Sequence, residues 1–285
     1  MAPECVPCLL GRVLFETNLC APRKARAAMR DSIKILSENF APGVNSAEVA
    51  TLVHRRAYDV LGCPDPYAQL KARSDEVATL LLPRAEDLIA SSPDRLEAAV
   101  VAAIAGNVMD FGFPGHDSPD QLTEEFDALL AQGLDVNDVA AMRERLGPGR
   151  KVVYLVDNCG ESVFDRLLVN EIRNTGTRVV GVVKGEPILT DVTLEDARRV
   201  GLDTAFDEVM TTGMFAVGVD AARLGDRLRA ELRSADLIVS KGMANFEALS
   251  ESDFRPIIYL LRAKCGPVAR AIGARKDDNV AKLFA

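Results

Sequence analysis

The run Val152-Val153-Tyr154-Leu155-Val156, closed off by Asp157-Asn158-Cys159-Gly160-Glu161, leaves this chain few folds to choose from. Five apolar or aromatic residues in succession read as a fully buried strand. The polar break is abrupt, and a helical pattern begins at once, with Phe164, Leu168 and Ile172 at four-residue spacing. In an open α/β sheet, ligands collect at the carboxyl ends of strands, where loops converge over a crevice. An acidic residue there either holds a divalent cation with hard oxygen ligands or caps the next helix. The segment alone leaves both readings open.

The alternation repeats toward the carboxyl terminus. Strands are expected at 151–156, 178–183, near Asp207–Met210 and at Asp236–Ser240, with helices at about 161–173 and Ala221–Arg233. A short helix starts at Thr193 as its cap and stops at Gly201. Phe254 to Lys264 is mostly apolar, and Pro267-Val268-Ala269 reads as a late strand. Strand and helix in turn give a mainly parallel sheet with helices on its faces.

Before residue 150 the texture is almost wholly helical. Helices are expected over Arg23–Phe40, from Ser46 to Gly62, and from Gln69 to Ser91. Another opens at Ser92-Pro93-Asp94, a cap followed by a first-turn proline and an acid, and ends near Gly106-Asn107. Phe111 to His116 is loop, Pro119 to Leu146 two short helices split around Gly133, and Gly147-Pro148-Gly149 a boundary. The division is therefore 1–149, a helical lobe packed on an edge or over the strand ends, and 150–285, the sheet core.

With 285 residues, 48% of them hydrophobic, the chain can bury a large core. A formal charge of −8 suggests neither a nucleic-acid nor an anionic-membrane surface. No apolar run approaches the roughly 18 residues of a membrane span, and no signal-peptide pattern opens the sequence. A cytoplasmic protein is expected. Of the six cysteines, Cys5 and Cys8 form a CxxC pair, and the others are dispersed. Three states stay open for them: a zinc site completed by Cys20, Cys63 or His54, a disulfide or redox pair, and reduced thiols. Cys5 and Cys8 are not expected to be catalytic, because the groups suited to chemistry lie elsewhere.

Three strand ends carry those groups. They are Asp157-Asn158 with Gly160-Glu161, Lys184-Gly185-Glu186-Pro187 leading to Asp191, and Lys241-Gly242 with Asn245 and Glu247. If the strands are neighbours, carboxylates and an amide oxygen share a crevice with a lysine, as phosphoryl chemistry requires. The bland readings are that Asp191 caps a turn, Lys241 is a solvated residue, Asn107 ends a helix and His116 sits inert in a loop. No P-loop, dinucleotide fingerprint, GxSxG elbow or HExxH motif is present.

Taken in order, Asp157-Asn158-Cys159-Gly160-Glu161 with Phe164-Asp165, Asp191-Val192-Thr193, and Ser240-Lys241-Gly242 with Asn245-Phe246-Glu247 resemble the DUF89 family of metal-dependent damage-control phosphatases. Cys5 and Cys8, Asp65-Pro66-Tyr67 with Lys71, Ala105-Gly106-Asn107 with Asp110, and Ala263-Lys264-Cys265 extend the resemblance over nearly the whole chain, toward the short stand-alone prokaryotic branch. It implies a three-layer α/β/α core with a helical lobe, and hydrolysis of small phosphorylated metabolites with one divalent metal ion, Mn, Co, Ni or Mg. By that resemblance Asp157, Asn158 and Asp191 ligate the metal. Asn107, Lys241 and Asn245 line the substrate or phosphate site, with Gly160 and Glu161 nearby. Thr190 stands where relatives often carry Asn, and the Arg-Thr-x-Lys motif of the sugar-phosphate branch is missing. Two other classes are a regulatory protein that binds metal or nucleotide without turnover, and a protein carboxyl methyltransferase. The latter lacks support from any glycine-rich methyl-donor loop.

Overall fold

The computed structural model describes residues 1–109 and 119–285, with side chains over 1–107 and 123–285. In the first half these are the helices α1 (Cys5–Cys20), α2 (Ala25–Asn39), α3 (Ser46–Leu61), α4 (Ala68–Ser91), α5 (Arg95–Ala105) and α6 (Pro119–Gln132). A two-residue strand β1 (Val136–Asn137) and a short helix α7 (Val139–Arg143) come next. The second half runs β2 (Lys151–Leu155), α8 (Glu161–Arg173), β3 (Arg178–Val183), α9 (Leu194–Arg199), β4 (Glu208–Thr211) and α10 (Asp226–Arg233). It continues with β5 (Leu237–Lys241), α11 (Gly242–Leu249), β6 (Ile257–Arg262), α12 (Gly266–Ile272) and β7 (Asn279–Phe284).

Among the described residues, seven strands make one sheet in the order β1-β7-β6-β5-β2-β3-β4. β2 is the hinge of that order. It pairs in parallel with β3 on one side and β5 on the other, so the chain winds outward from it in both directions. The crevice beyond a strand pair of this kind is where α/β sheets bind ligands. Among the described strands, only the pairing of β6 with β7 is antiparallel.

Residues along β2 alternate between two cores, as the two-residue repeat of a strand demands. Val152 and Tyr154 face a core shared with α5, α8 and α9, while Val153 and Leu155 face one shared with α10, α11 and α12. Helices thus cover both faces and the core has three layers. The first half does more than pack on an edge. α5 is apolar nearly all round, and Ala98 to Ile104 lie buried between α4 and the sheet. β1 adds a strand beside β7. Across the residue-150 boundary, α5 of the first half lies in the same apolar cluster as β2 and α8 of the second. A further apolar cluster joins α1, α2 and α3 to Ile188, Phe215 and Val217, which lie on the loops after β3 and β4.

Several local expectations need correction. Pro267 lies in the first turn of α12, where its missing N–H costs nothing, and the last strand is β7. The cap of α5 is Asp94, which accepts the Glu97 N–H at 3.0 Å, and Ser92 serves the turn before it. The second half of 119–146 contains β1. Cys20 and Cys63 are joined by a disulfide with Cα atoms 6.6 Å apart, so neither completes a zinc site with Cys5 and Cys8. Among the described residues no helix is long and apolar enough to cross a membrane.

Candidate active site at the β2–β5 crossing

Main-chain hydrogen bonds knit the loop after β2 to the loop after β3. Val192 N donates to Asp157 O at 2.8 Å and Cys159 N to Thr190 O at 2.8 Å, forming an antiparallel bridge between Asn158 and Asp191. Asp157, Asn158 and Asp191 are brought together by backbone, independent of any ion. All three are buried, at 4%, 8% and 2% exposure, and carboxylates are rarely buried so deeply unless paired.

Asp157 Oδ2 accepts from Asn158 Nδ2 at 2.6 Å, while Asp157 Oδ1 has no hydrogen-bond partner among the described residues. Burial, then the negative charges of Asp191 and Glu161, hold the Asp157 carboxyl well above its ordinary range, and Lys184 and Lys241 oppose this. Asp191 Oδ2 lies 3.2 Å from the Lys184 ammonium. Asn158 Oδ1 accepts from Thr190 Oγ1 at 2.9 Å. Half a turn of that amide would bring Oδ1 toward Asp157, and the Thr190 hydroxyl can accept as well as donate. Gly242, at φ +75°, completes the crossing from β5, where a Cβ would overlap the Asp157 carboxylate.

Glu161 opens α8 and organises the floor. Its Oε2 accepts from Asn107 Nδ2 at 2.8 Å and lies 3.4 Å from Asn158 Nδ2, and its Oε1 pairs with Lys241. Asn107 thereby joins the site from the end of α5, and its carbonyl accepts from Lys264 Nζ at 3.1 Å. The expected closure over the crevice between Asn107 and His116 falls on 110–118, outside the described residues.

Lys241 takes a different place from the one its strand end suggested. Fully buried, it donates to Glu161 Oε1, to Asp165 Oδ1 at 2.8 Å and to Ala103 O at 2.8 Å. An ammonium has three hydrogens, and all three find partners inside the protein. Burial works against its charge, but Asp165 and Glu161 more than offset this and keep it protonated above its ordinary range. Lys241 therefore lies beneath the site as a counter-ion for two carboxylates, whereas its position at a strand end suggested that it faces a phosphate. Asn245 on α11 donates to Lys241 O at 2.8 Å and Val156 O at 3.3 Å, and its Oδ1 is buried without a partner among the described residues.

No three His, Cys, Asp or Glu side chains among the described residues converge as ligands, so a cation here would need amide oxygens beside the carboxylates. The donors at hand are all oxygens, from carboxylate and amide, and Asp157 Oδ1 has no other partner among the described residues. That set fits a hard or borderline divalent ion. Burial and then Asp196 and Asp75 push the Cys159 thiol well above the usual range.

A family model for the damage-control phosphatase ARMT1-like domain matches residues 1–280. The chain belongs to this family. It is 43% identical to a damage-control phosphatase of Archaeoglobus fulgidus over 286 residues, covering 99% of each chain. It is 34% identical over 283 residues to one of Pyrococcus horikoshii, covering 97% of this chain and 96% of that one. The crystal structure of a DUF89 family protein from Pyrococcus horikoshii superposes with a TM-score of 0.88 at 31% identity, covering 99% of this chain and 98% of that one. Family membership agrees with the α/β architecture and with the resemblance that the ordered motifs carry.

The sequence reading named Lys184 at a strand end and Asp165 within a motif without giving either a role, and it passed over Asp75 and Arg199. A signal existed for two of them. Asp165 lies one helical turn after Glu161, and both are buried on the same face of α8. Lys71, Ser74 and Asp75 make a polar stripe at helical spacing on the buried side of α4, which only a polar partner beneath can explain.

Proposed function

We propose that this chain is a metal-dependent phosphatase acting on small phosphorylated metabolites, with one divalent ion, Mn, Co, Ni or Mg. The observation that carries the reading is the Asp157 carboxylate. It is buried beside Asp191, raised in pKa by burial and its neighbours, and keeps Oδ1 without a partner among the described residues. Two relatives that align over nearly their whole length bear the name damage-control phosphatase, which supports the same reaction class here.

Asp157, Asp191 and the amide oxygen of Asn158 would hold the ion. When bound, it supplies positive charge to the phosphate oxygens and a Lewis acid for water. The remaining work belongs to the chain. Glu161 aligns the amide of Asn107 through one oxygen and is itself fixed by Lys241 through the other. The first turn of α11 has no side-chain cap and starts against Asp157, so its backbone N–H groups suit an anionic phosphate. Burial of the floor keeps the charges effective, because little water screens them.

The test is release of inorganic phosphate from p-nitrophenyl phosphate by chelator-treated protein, before and after adding each of the four ions. Activity should vanish with chelator and return with at least one ion. Absence of phosphate release under all four conditions would overturn the reading in favour of a binding protein without turnover.

A further inference from the structure

The turn that carries Asp157 and Asn158 is gripped from the helical half by a single carboxylate. Asp75, 4% exposed on α4, accepts the Gly160 N–H through Oδ1 at 2.6 Å. Gly160 has φ 78° and ψ −60°, a peptide orientation that residues with side chains rarely adopt and that needs something to hold it. The other oxygen of Asp75 takes both arms of the Arg199 fork, at 2.9 and 2.6 Å. Such a fork fixes direction as well as charge.

Arg199 is not an isolated partner. Its Nη2 also meets Asp196 Oδ1 at 2.8 Å, and Asp196 Oδ2 lies 3.2 Å from buried Lys71. The same Asp196 oxygen accepts from Thr193 N at 2.9 Å and Thr193 Oγ1 at 2.7 Å, closing a capping box two residues after Asp191. One network therefore holds Gly160 in the turn of Asp157 and Thr193 in the turn of Asp191. An apolar side chain of similar volume would give α4 as much stability as a buried ion pair, or more. It could not give Gly160 an acceptor.

We propose that Asp75 is a positioning residue, which with Arg199 sets the Asp157–Asn158 turn against the Asp191 turn and so fixes the spacing of the cation's ligands. The inference rests on the reading of this crevice as a cation site. It assigns to α4 a part in metal affinity and turnover without contact to metal or substrate.

The test uses the full chain, Mn2+ and p-nitrophenyl phosphate, with Asp75→Ala to remove the acceptor and Asp75→Asn to keep an oxygen for Gly160. Arg95→Ala, which breaks an exposed pair with Glu171 elsewhere on α8, is the control. In Asp75→Ala the Gly160 amide should exchange at least about tenfold faster relative to the β2 amides, and Mn2+ affinity should fall about 10–100-fold. kcat should fall with KM near wild type, Asp75→Asn should recover most of the loss, and Arg95→Ala should change nothing. An Asp75→Ala protein with protected β2 amides but unchanged Gly160 exchange and Mn2+ affinity overturns the inference. If that variant does not fold, Arg199→Gln decides: it leaves Asp75 without its fork and should move both readouts the same way by a smaller factor. Unchanged values there overturn the inference equally. Failure of the wild type to release phosphate sinks the functional reading alone, since Gly160 exchange does not depend on turnover.

Discussion

Gly242 packs its backbone directly against the carboxylate of Asp157, so the end of β5 forms one wall of the crevice that opens at the end of β2. No residue with a side chain fits there. A Cβ would overlap the carboxylate, and φ +75° adds a left-handed strain of about 1–2 kcal/mol for any L residue. Gly242→Ala is expected to fold with a modestly lower melting temperature and to bind Mn2+ at least about tenfold more weakly. Calorimetric titration beside a thermal melt separates the two effects, and unchanged Mn2+ binding would remove Asp157 from the ligand set.

Asp157→Asn keeps the shape of the side chain and its ability to accept from backbone donors, so a mere capping role would survive the change. As a metal ligand Asn is neutral and weaker, and the loss in Mn2+ affinity should exceed about 100-fold, the upper range for removing a ligand's supporting partner. Without metal the variant should melt at or above the wild-type temperature. The raised pKa of Asp157 means that its charge opposes folding at neutral pH, and Asn escapes that crowding by Asp191 and Glu161. Melts in chelator and in excess Mn2+ check both halves. A metal-induced rise in melting temperature equal to that of wild type would be fatal to the assignment.

The strand–turn–helix at 151–173 was legible because it is locally consistent: a continuous apolar run, a polar break, then helical periodicity. Asp191 was placed near Asp157 because it follows the polar run at the end of the neighbouring strand, β3. Lys241 was misplaced because a strand's end fixes where a residue sits in the chain, not where a long side chain ends. Its ammonium travels back under the sheet to Asp165, a partner 76 residues away in sequence. Asp75 and Arg199, 124 residues apart, illustrate the same limit. Pairings of that range depend on how α4 and α9 are packed, which no local pattern encodes. Pro267 misled for a different reason. An apolar Pro-Val-Ala run after a glycine suits either a strand or a helix start, and only the packing of α12 decides.

Removing Lys241 should cost stability far more than removing a surface lysine. Lys241→Met fits an apolar stem into the same space but leaves Glu161 and Asp165 as buried carboxylates without their cation. The expected loss is about 3–5 kcal/mol in urea denaturation, against about 0–1 kcal/mol for an exposed pair. Adding Asp165→Asn should restore part of it, because one of the two stranded charges is then gone. A loss no larger than that of an exposed pair would show that Lys241 is not the counter-ion of this floor.

Asp165 itself predicts a pH signature. Burial pushes its carboxyl up to about 6, with Glu161 adding to the rise and with Lys241 and the Tyr154 hydroxyl opposing it. In the unfolded chain an Asp titrates near about 3.9, so between the two values the native state binds the extra proton. The stability that Asp165 contributes is therefore full below about pH 4, falls as pH rises through about 6, and is absent above. Asp165→Asn has no proton to lose there, yet it keeps an oxygen for Tyr154 and Lys241. The stability of wild type minus that of the variant should decline between about pH 4 and 6.5 and then level off. Chemical denaturation at half-unit steps measures the difference directly. A flat difference, or one that grows with pH, would mean that Asp165 is ionised throughout and that Lys241 outweighs its burial.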